Sequence, residues 1–245
     1  MNIDKKYYQE INENLTNTIQ DTNISAPNKK VGKVRDAYFL NDKVVMISTD
    51  RQSAFDRVLA AIPYKGAVLN SVSAWWFKKT EHLFPNHLIS TPDPNVSIVE
   101  KCTVFPVEFV VRGYITGTTD TSLWTVYNNG DREYCGNSLP EGLKKNDKLD
   151  KPMLTPTTKD KVHDRPVSRE EIIDLGLMSA EDYDLAAKMS LDLFAFGQET
   201  AKKNGLILVD TKYEIGTDSK GKIKFVDEIH TPDSSRFWIS SSYKD

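Results

Sequence analysis

The sequence predicts an α+β fold. Three observations carry that expectation: a pair of β-rich runs near the N-terminus joined by turn residues, a second such pair near the C-terminus, and helical periodicity in the segments between. Residues 30–39 and 43–48 are rich in Val, Ile and aromatics, and Leu40, Asn41 and Asp42 between them have turn chemistry, which reads as a β-hairpin. From 67 to 83, Leu69, Val72, Trp75, Trp76, Lys79 and Leu83 recur at spacings of three and four. That is an amphipathic helix with both tryptophans in the core.

A second β-rich stretch covers 97–115, with Pro106 as an edge or irregular point because proline cannot donate to a ladder. Its end, 112–121, reads as a polar loop. Residues 137–166 lack apolar periodicity and are rich in Lys, Asp, Thr and Pro, so they read as a long connection. Two helix starts follow: a capping box at Ser168 and Glu171, and an N-cap at Ser179 before Asp182. The second helix should run to a C-cap at Gly205 and bury Tyr183, Ala186, Ala187, Ser190, Leu191, Phe194 and Ala201. Strands at 206–215 and 222–229 then form the second hairpin.

At 245 residues the chain makes one large domain or two lobes, and two lobes would leave a cleft. A formal net charge of -3 provides no overall positive field for nucleic acid or anionic lipid, so any phosphate binding must be local. Cys102 and Cys135 lack metal-site spacing and read as free thiols. Residues 1–28 lack the apolar run of a signal peptide, and no stretch approaches the ~20 apolar residues of a membrane span, so a cytoplasmic location is expected.

The second hairpin carries the strongest chemical signal. Period-two alternation puts Asp210, Lys212 and Glu214 on one strand face. With the turn near Ser219 and Lys220, Glu214 would lie roughly opposite Asp227, and opposed carboxylates repel unless a cation such as magnesium sits between them. A solvated hairpin laced with salt bridges accounts for the spacing equally well. Downstream, Ser234, Ser235 and Arg236 could hold a phosphate or carboxylate, and Arg112 to Thr118 combines an arginine with small and hydroxyl residues. Gly32, Lys33 and Arg35 put a glycine and two cations in the first hairpin, where a solvated strand edge is the simpler account. Thr155, Thr157, Thr158 and Lys159, with His163 and Asp164, add hydroxyls, a cation and an imidazole.

Taken together, GKVRDAY (32–38), DRQSAFD (50–56), VEFVVRGYITGT (107–118), LTPTTK (154–159), LILVDTKYEIG (206–216) and DEIHTPDSSRFW (227–238) resemble the SAICAR synthetase family in order and content, over most of the chain. The resemblance implies an ATP- and Mg2+-dependent ligase of de novo purine synthesis. Such an enzyme joins L-aspartate to the carboxylate of carboxyaminoimidazole ribonucleotide (CAIR) and gives SAICAR, ADP and phosphate.

The resemblance also implies a two-lobed α+β fold with an antiparallel N-terminal lobe over a larger α+β C-terminal lobe and an ATP cleft between, similar to kinase and ATP-grasp arrangements. The expected division is 1–105, with 1–28 peripheral, and 106–245. On this resemblance Gly32, Lys33 and Arg35 lie over the ATP phosphates and Glu214 and Asp227 hold magnesium. Asp210 and Lys212 face the reacting carboxylate. Arg112, Thr118, Ser234, Ser235 and Arg236 grip the ribose phosphate, and Thr155, Thr157, Thr158, Lys159, His163 and Asp164 form the aspartate end. Relatives usually continue past Arg-Phe-Trp into a helical tail, where this sequence ends at Asp245. Two rivals are a kinase-like phosphotransferase and a nucleotide-binding protein without catalysis. The sequence leaves the oligomeric state open.

Overall fold

The computed structural model describes residues 5–54, 57–159 and 165–243, with the side chain of Lys6 set aside. The chain divides into two compact units, one of Met1–Lys79 with His87–Lys101 and one of Thr80–Asn86 with Cys102–Asp245. The α+β expectation is borne out.

The first unit begins with α1 (Lys5–Glu13), β1 (Lys29–Val31), β2 (Arg35–Phe39) and β3 (Lys43–Ser48). It continues through β4 (Arg51–Ala54), β5 (Arg57–Ala61), α2 (Lys65–Thr80), β6 (Leu88–Asp93) and β7 (Val96–Glu100). Five strands form one sheet in the order β1-β2-β3-β7-β6, and β4 pairs with β5. The β2–β3 hairpin turns at 40–42 as expected, but the run read as one strand from 30 to 39 is two, because the chain reverses at Gly32. A Cβ at Gly32 would stand 2.7 Å from the Arg35 carbonyl oxygen, so this turn closes more tightly than a side chain permits.

Helix α2 buries Leu69, Asn70, Ser73, Trp76, Phe77 and Thr80. The two tryptophans therefore part company: Trp76 is 6% exposed, whereas Trp75 is 51% exposed and lies under the Lys79 ammonium at 5.0 Å. Adjacent helical positions are about 100° apart, and the buried stripe ends at Trp76 on one side and takes Phe77 on the other, so Trp75, a further step beyond Trp76, falls outside it.

The second unit contains β8 (Thr103–Tyr114), α3 (Leu123–Asn128), β9 (Glu133–Tyr134), β10 (Asn137–Ser138), β11 (Lys148–Leu154) and β12 (Thr157–Thr158). After these come α4 (Arg169–Asp174), α5 (Ala180–Lys203), β13 (Leu206–Thr217), β14 (Ile223–Val226) and β15 (Ser235–Ile239). Strands β8 and β13 are antiparallel neighbours at the centre of a sheet. Strands β11 and β12 share the far edge of β8, and β15 and β14 share the far edge of β13. The segment 137–166 thus supplies paired edge strands where a connection was expected. Pro106 lies where β8 carries extra residues against β13, between Glu108 and Val104, so the ladder is not asked for its missing N–H.

Both helix starts are as read. Ser168 and Glu171 form a complete capping box, and Ser179 accepts from the Asp182 N–H. Helix α5 ends at Lys203 with Gly205 in the left-handed region just beyond. Its buried face is Tyr183, Ala186, Met189, Ser190, Leu193, Phe194, Gly197 and Ala201, so Ala187 and Leu191 flank the stripe. That face packs on the apolar side of β13 and β8, where Phe109, Val111, Val209, Tyr213 and Ile215 are fully buried. Burying each such side chain contributes about 1.5–3 kcal/mol. Both cysteines are free thiols, and burial pushes the Cys135 thiol up to about 11, outside the reactive range.

Candidate active site

One face of the β8–β13 pair is core, so alternation commits the other face to the charged side chains of those strands. On β13 that face carries Asp210, Lys212 and Glu214, and directly opposite them on β8 stand Arg112, Val110 and Glu108. Asp210 is also in register with Arg236 on β15, its other neighbour. One buried carboxylate therefore lies between two arginines, with Arg236 Nη1 at 3.5 Å and Arg112 Nη1 at 3.9 Å from the same Oδ2. Arg112 Nε further donates to Thr155 Oγ1 at 2.8 Å. Burial raises the proton affinity of Asp210 although both arginines act against it, and burial likewise lowers that of Arg112. Two cations against one anion leave this corner with net positive charge.

The corner opens into a pocket of about 470 Å³ lined by Val110, Arg112, Asp210, Thr211, Lys212, Asp233, Ser234, Ser235 and Arg236, with Pro232. Ser234 and Ser235 line it, and both hydroxyls are engaged within the protein. Ser235 Oγ meets Thr211 Oγ1 at 2.7 Å, and Ser234 Oγ meets Thr231 Oγ1 at 3.2 Å.

Along the same face, Lys212 Nζ donates to Glu108 Oε1 at 2.7 Å and lies 3.7 Å from Glu214 Oε1. Lys159, just past β12, forms an ion pair with Glu214 Oε2. Burial alone would lower the Lys212 pKa, but Glu108 and Glu214 outweigh it and hold the ammonium charged. Glu214 is pushed up, first by burial and then by Asp227, against the pull of Lys159 and Lys212.

The expected Glu214–Asp227 pairing needs correction. Glu214 is in register with Val226, and the hairpin closes through Thr217 and Ile223. The partner of Glu214 is therefore one residue short of the one expected, and a one-residue slip changes every partner along the hairpin. Asp227 instead follows β14 in the left-handed region at φ 61° and reaches the Glu214 neighbourhood from there. Among the described residues no group of three or more His, Cys, Asp or Glu converges as a metal cage. Two hard carboxylates of which one disfavours the other's charge still fit magnesium, which takes one or two protein carboxylates and completes its shell with phosphate and water.

Other expected residues fall elsewhere. Thr157 pairs opposite Glu108 and shares the polar face, while Thr158 lies opposite Val107, which is core. Thr118 is exposed in the loop after β8. His163 and Asp164 lie outside the described residues. Gly32, Lys33 and Arg35 belong to the first unit, at the tip of the β1–β2 hairpin. Sequence reasoning missed Glu108. The signal was there: a glutamate two and four positions before Val110 and Arg112 in an otherwise apolar strand.

An antiparallel sheet bearing an arginine-flanked carboxylate, a lysine between glutamates and a pocket over both defines an α+β enzyme for anionic reactants. The family model described as SAICAR synthetase matches residues 28–245. Phosphoribosylaminoimidazole-succinocarboxamide synthase of Legionella pneumophila (strain Lens) is 58% identical, over 93% of this chain and 73% of its own. The structure of SAICAR-synthase from Saccharomyces cerevisiae complexed with SAICAR superposes with a TM-score of 0.80 at 33% identity, covering 92% of this chain and 81% of that one. A SAICAR synthetase (Type-2) in complex with ADP gives 0.75 at 27% identity, covering 89% and 86%.

The chain belongs to the SAICAR synthetase family, the ATP-dependent ligases that form an amide between the carboxylate of CAIR and the amine of L-aspartate in purine biosynthesis. No helix among the described residues is long and apolar enough to cross a membrane.

Proposed function

We propose that this chain makes SAICAR through an acyl phosphate, on the polar face of β8 and β13. The observation that carries the reading is the order of charges along that face: an arginine pair around Asp210 at one end, then Lys212 between Glu108 and Glu214 at the other.

A carboxylate is a poor electrophile, because its charge repels amines and oxide is not a leaving group. In the proposed sequence, a CAIR carboxylate oxygen attacks the γ-phosphorus of ATP and the bond to ADP breaks. The aspartate amine then attacks the acyl carbon, and phosphate departs with the bonding pair. Arg112 and Arg236 hold the ribose phosphate bidentately. Lys212 offsets the negative charge of the reacting carboxylate as it approaches the phosphoryl group. Asp210, whose proton affinity burial has raised, accepts the proton that the amine loses. Lys159 and Thr157 face the aspartate carboxylates, and the Gly32 turn with Lys33 and Arg35 takes the ATP phosphates. Glu214 and Asp227 would hold magnesium, which supplies charge neutralisation to the phosphoryl oxygens.

The test is an ADP-release assay with ATP, Mg2+, CAIR and L-aspartate, each omitted in turn. ADP release should require all four. Turnover that continues without aspartate would make the chain a phosphotransferase and sink the ligase reading.

A further inference from the structure

The tip of the β1–β2 hairpin is held from behind by groups that have no part in the reaction above. Arg51, buried at the start of β4, donates from Nη2 to the Gly32 carbonyl at 3.0 Å and from Nε to the Lys33 carbonyl at 3.2 Å. Thr49 donates to the Val34 carbonyl from its N–H at 2.9 Å and from Oγ1 at 2.6 Å. In a trans peptide the C=O and the following N–H point in opposite directions. Gripping these successive carbonyls from one side therefore turns the N–H groups of Lys33, Val34 and Arg35 the other way, the arrangement that makes an anion-binding concavity.

Arg51 is itself held. Its Nη2 meets Asp36 Oδ1 at 2.7 Å, and its Nη1 donates to the Gln20 carbonyl at 2.6 Å. Asp36 is fully buried, accepts from Thr22 Oγ1 at 2.6 Å and pairs with Lys29 at 3.0 Å. Ile19 and Asp50 exchange two bonds at 2.8 Å, and Tyr38 Oη donates to the Thr22 carbonyl at 2.7 Å. Residues 19–22 precede residue 28, where the family match begins, yet they are stitched to the back of the turn.

We infer that residues 19–22, Asp36 and Arg51 form a clasp that presets the 32–35 turn for the phosphates of ATP, with Arg51 as a positioning residue that does not touch the nucleotide. The clasp rests on the reading that this turn takes ATP. It adds an upstream segment and a buried guanidinium to what determines ATP affinity.

Steady-state kinetics of the full chain test it, with Arg51→Lys, Thr22→Val and Lys33→Ala side by side. Arg51→Lys should raise KM for ATP about tenfold and leave KM for aspartate and CAIR within about twofold, since a lysine cannot reproduce the guanidinium fork. Thr22→Val, which removes one support of Asp36, should raise KM for ATP about threefold. Amide hydrogen exchange over residues 29–36 should quicken in both. An unchanged ATP KM in Arg51→Lys, when Lys33→Ala raises it, overturns the clasp and leaves the phosphate reading standing. An unchanged ATP KM in Lys33→Ala overturns that reading and the clasp with it. A KM rise shared by all three substrates means Arg51 is merely structural and also overturns the clasp. If Arg51→Lys does not fold, Thr22→Val decides: unchanged ATP KM with unchanged exchange rejects the proposal.

Discussion

Glu108 on β8 and Glu214 on β13 stand directly opposite each other across an antiparallel pair, and the Lys212 ammonium lies within reach of both. Like charges so placed destabilise a sheet. The lysine is therefore a condition of the fold, and its removal has a stability signature that a purely catalytic residue would lack.

Lys212→Met should abolish turnover and also destabilise the protein by about 1–3 kcal/mol. This is less than the cost of breaking a fully buried pair, because the Lys212 side chain is 37% exposed. Thermal melting checks it. A melting temperature equal to that of the parent would mean the two glutamates do not depend on this cation.

Glu214 gives the opposite sign. Burial and Asp227 make the folded protein hold this proton more tightly than the unfolded chain does. As pH rises past about 4.3, where an unfolded glutamate ionises, the unfolded state gives up its proton first, and stability falls until the folded-state pKa is passed. Glu214→Gln cannot ionise and escapes that loss. Its melting temperature relative to the parent, measured without nucleotide or Mg2+, should be level in acid and rise by about 2–4 °C toward neutral pH, while activity disappears. A difference that is flat with pH would contradict the origin of the shift.

Asp227→Asn separates metal holding from backbone shape. The residue sits at φ 61°, a region asparagine also tolerates, so the turn should survive and melting should move by no more than about 2 °C. Loss of a carboxylate beside Glu214 should cut turnover at least about 100-fold and shift the Mg2+ requirement upward. Near-normal turnover at limiting Mg2+ would remove Asp227 from the metal site.

Gly197 on α5 faces His230, and an added Cβ would lie 2.4 Å from its Cε1 and 2.7 Å from Leu208 Cδ2. His230 is locked in place, fully buried with Nε2 at 2.5 Å from Tyr213 Oη, its pKa lowered by burial to about 3. Gly197→Ala should cost about 1–3 kcal/mol by overpacking. Because His230 begins the turn that leads to Arg236, KM for CAIR should rise as well. Unchanged melting would show that the helix can shift away from the ring.

What could be read in the sequence was what is decided locally. Ser168 and Glu171 cap a helix through their own spacing, and Asp210, Lys212 and Glu214 share a face because alternation along one strand requires it. What could not be read depends on distant partners. Glu108 looks like an odd charge in VEFVVRG until β13 is laid beside it, 104 positions later for its bond to Lys212. Asp227 was misplaced because the five-residue loop after Thr217 centres on Lys220 and pairs Glu214 with Val226, while a turn centred between Ser219 and Lys220 would pair it with Phe225, and neither register reaches Asp227. Strands β11 and β12 escaped notice because their pairing to β8 is short and shifts register, leaving little periodicity to see.

The central position of β8 also bears on how the chain folds during synthesis. Its main strand neighbour, β13, comes only about a hundred residues later, and its apolar face of Val107, Phe109 and Val111 waits for α5. At about 5–20 residues per second on the ribosome, that strand waits on the order of 5–20 seconds with an unpaired, aggregation-prone edge. Variants that slow β13 docking should therefore lower soluble yield before they lower the melting temperature of whatever protein does fold.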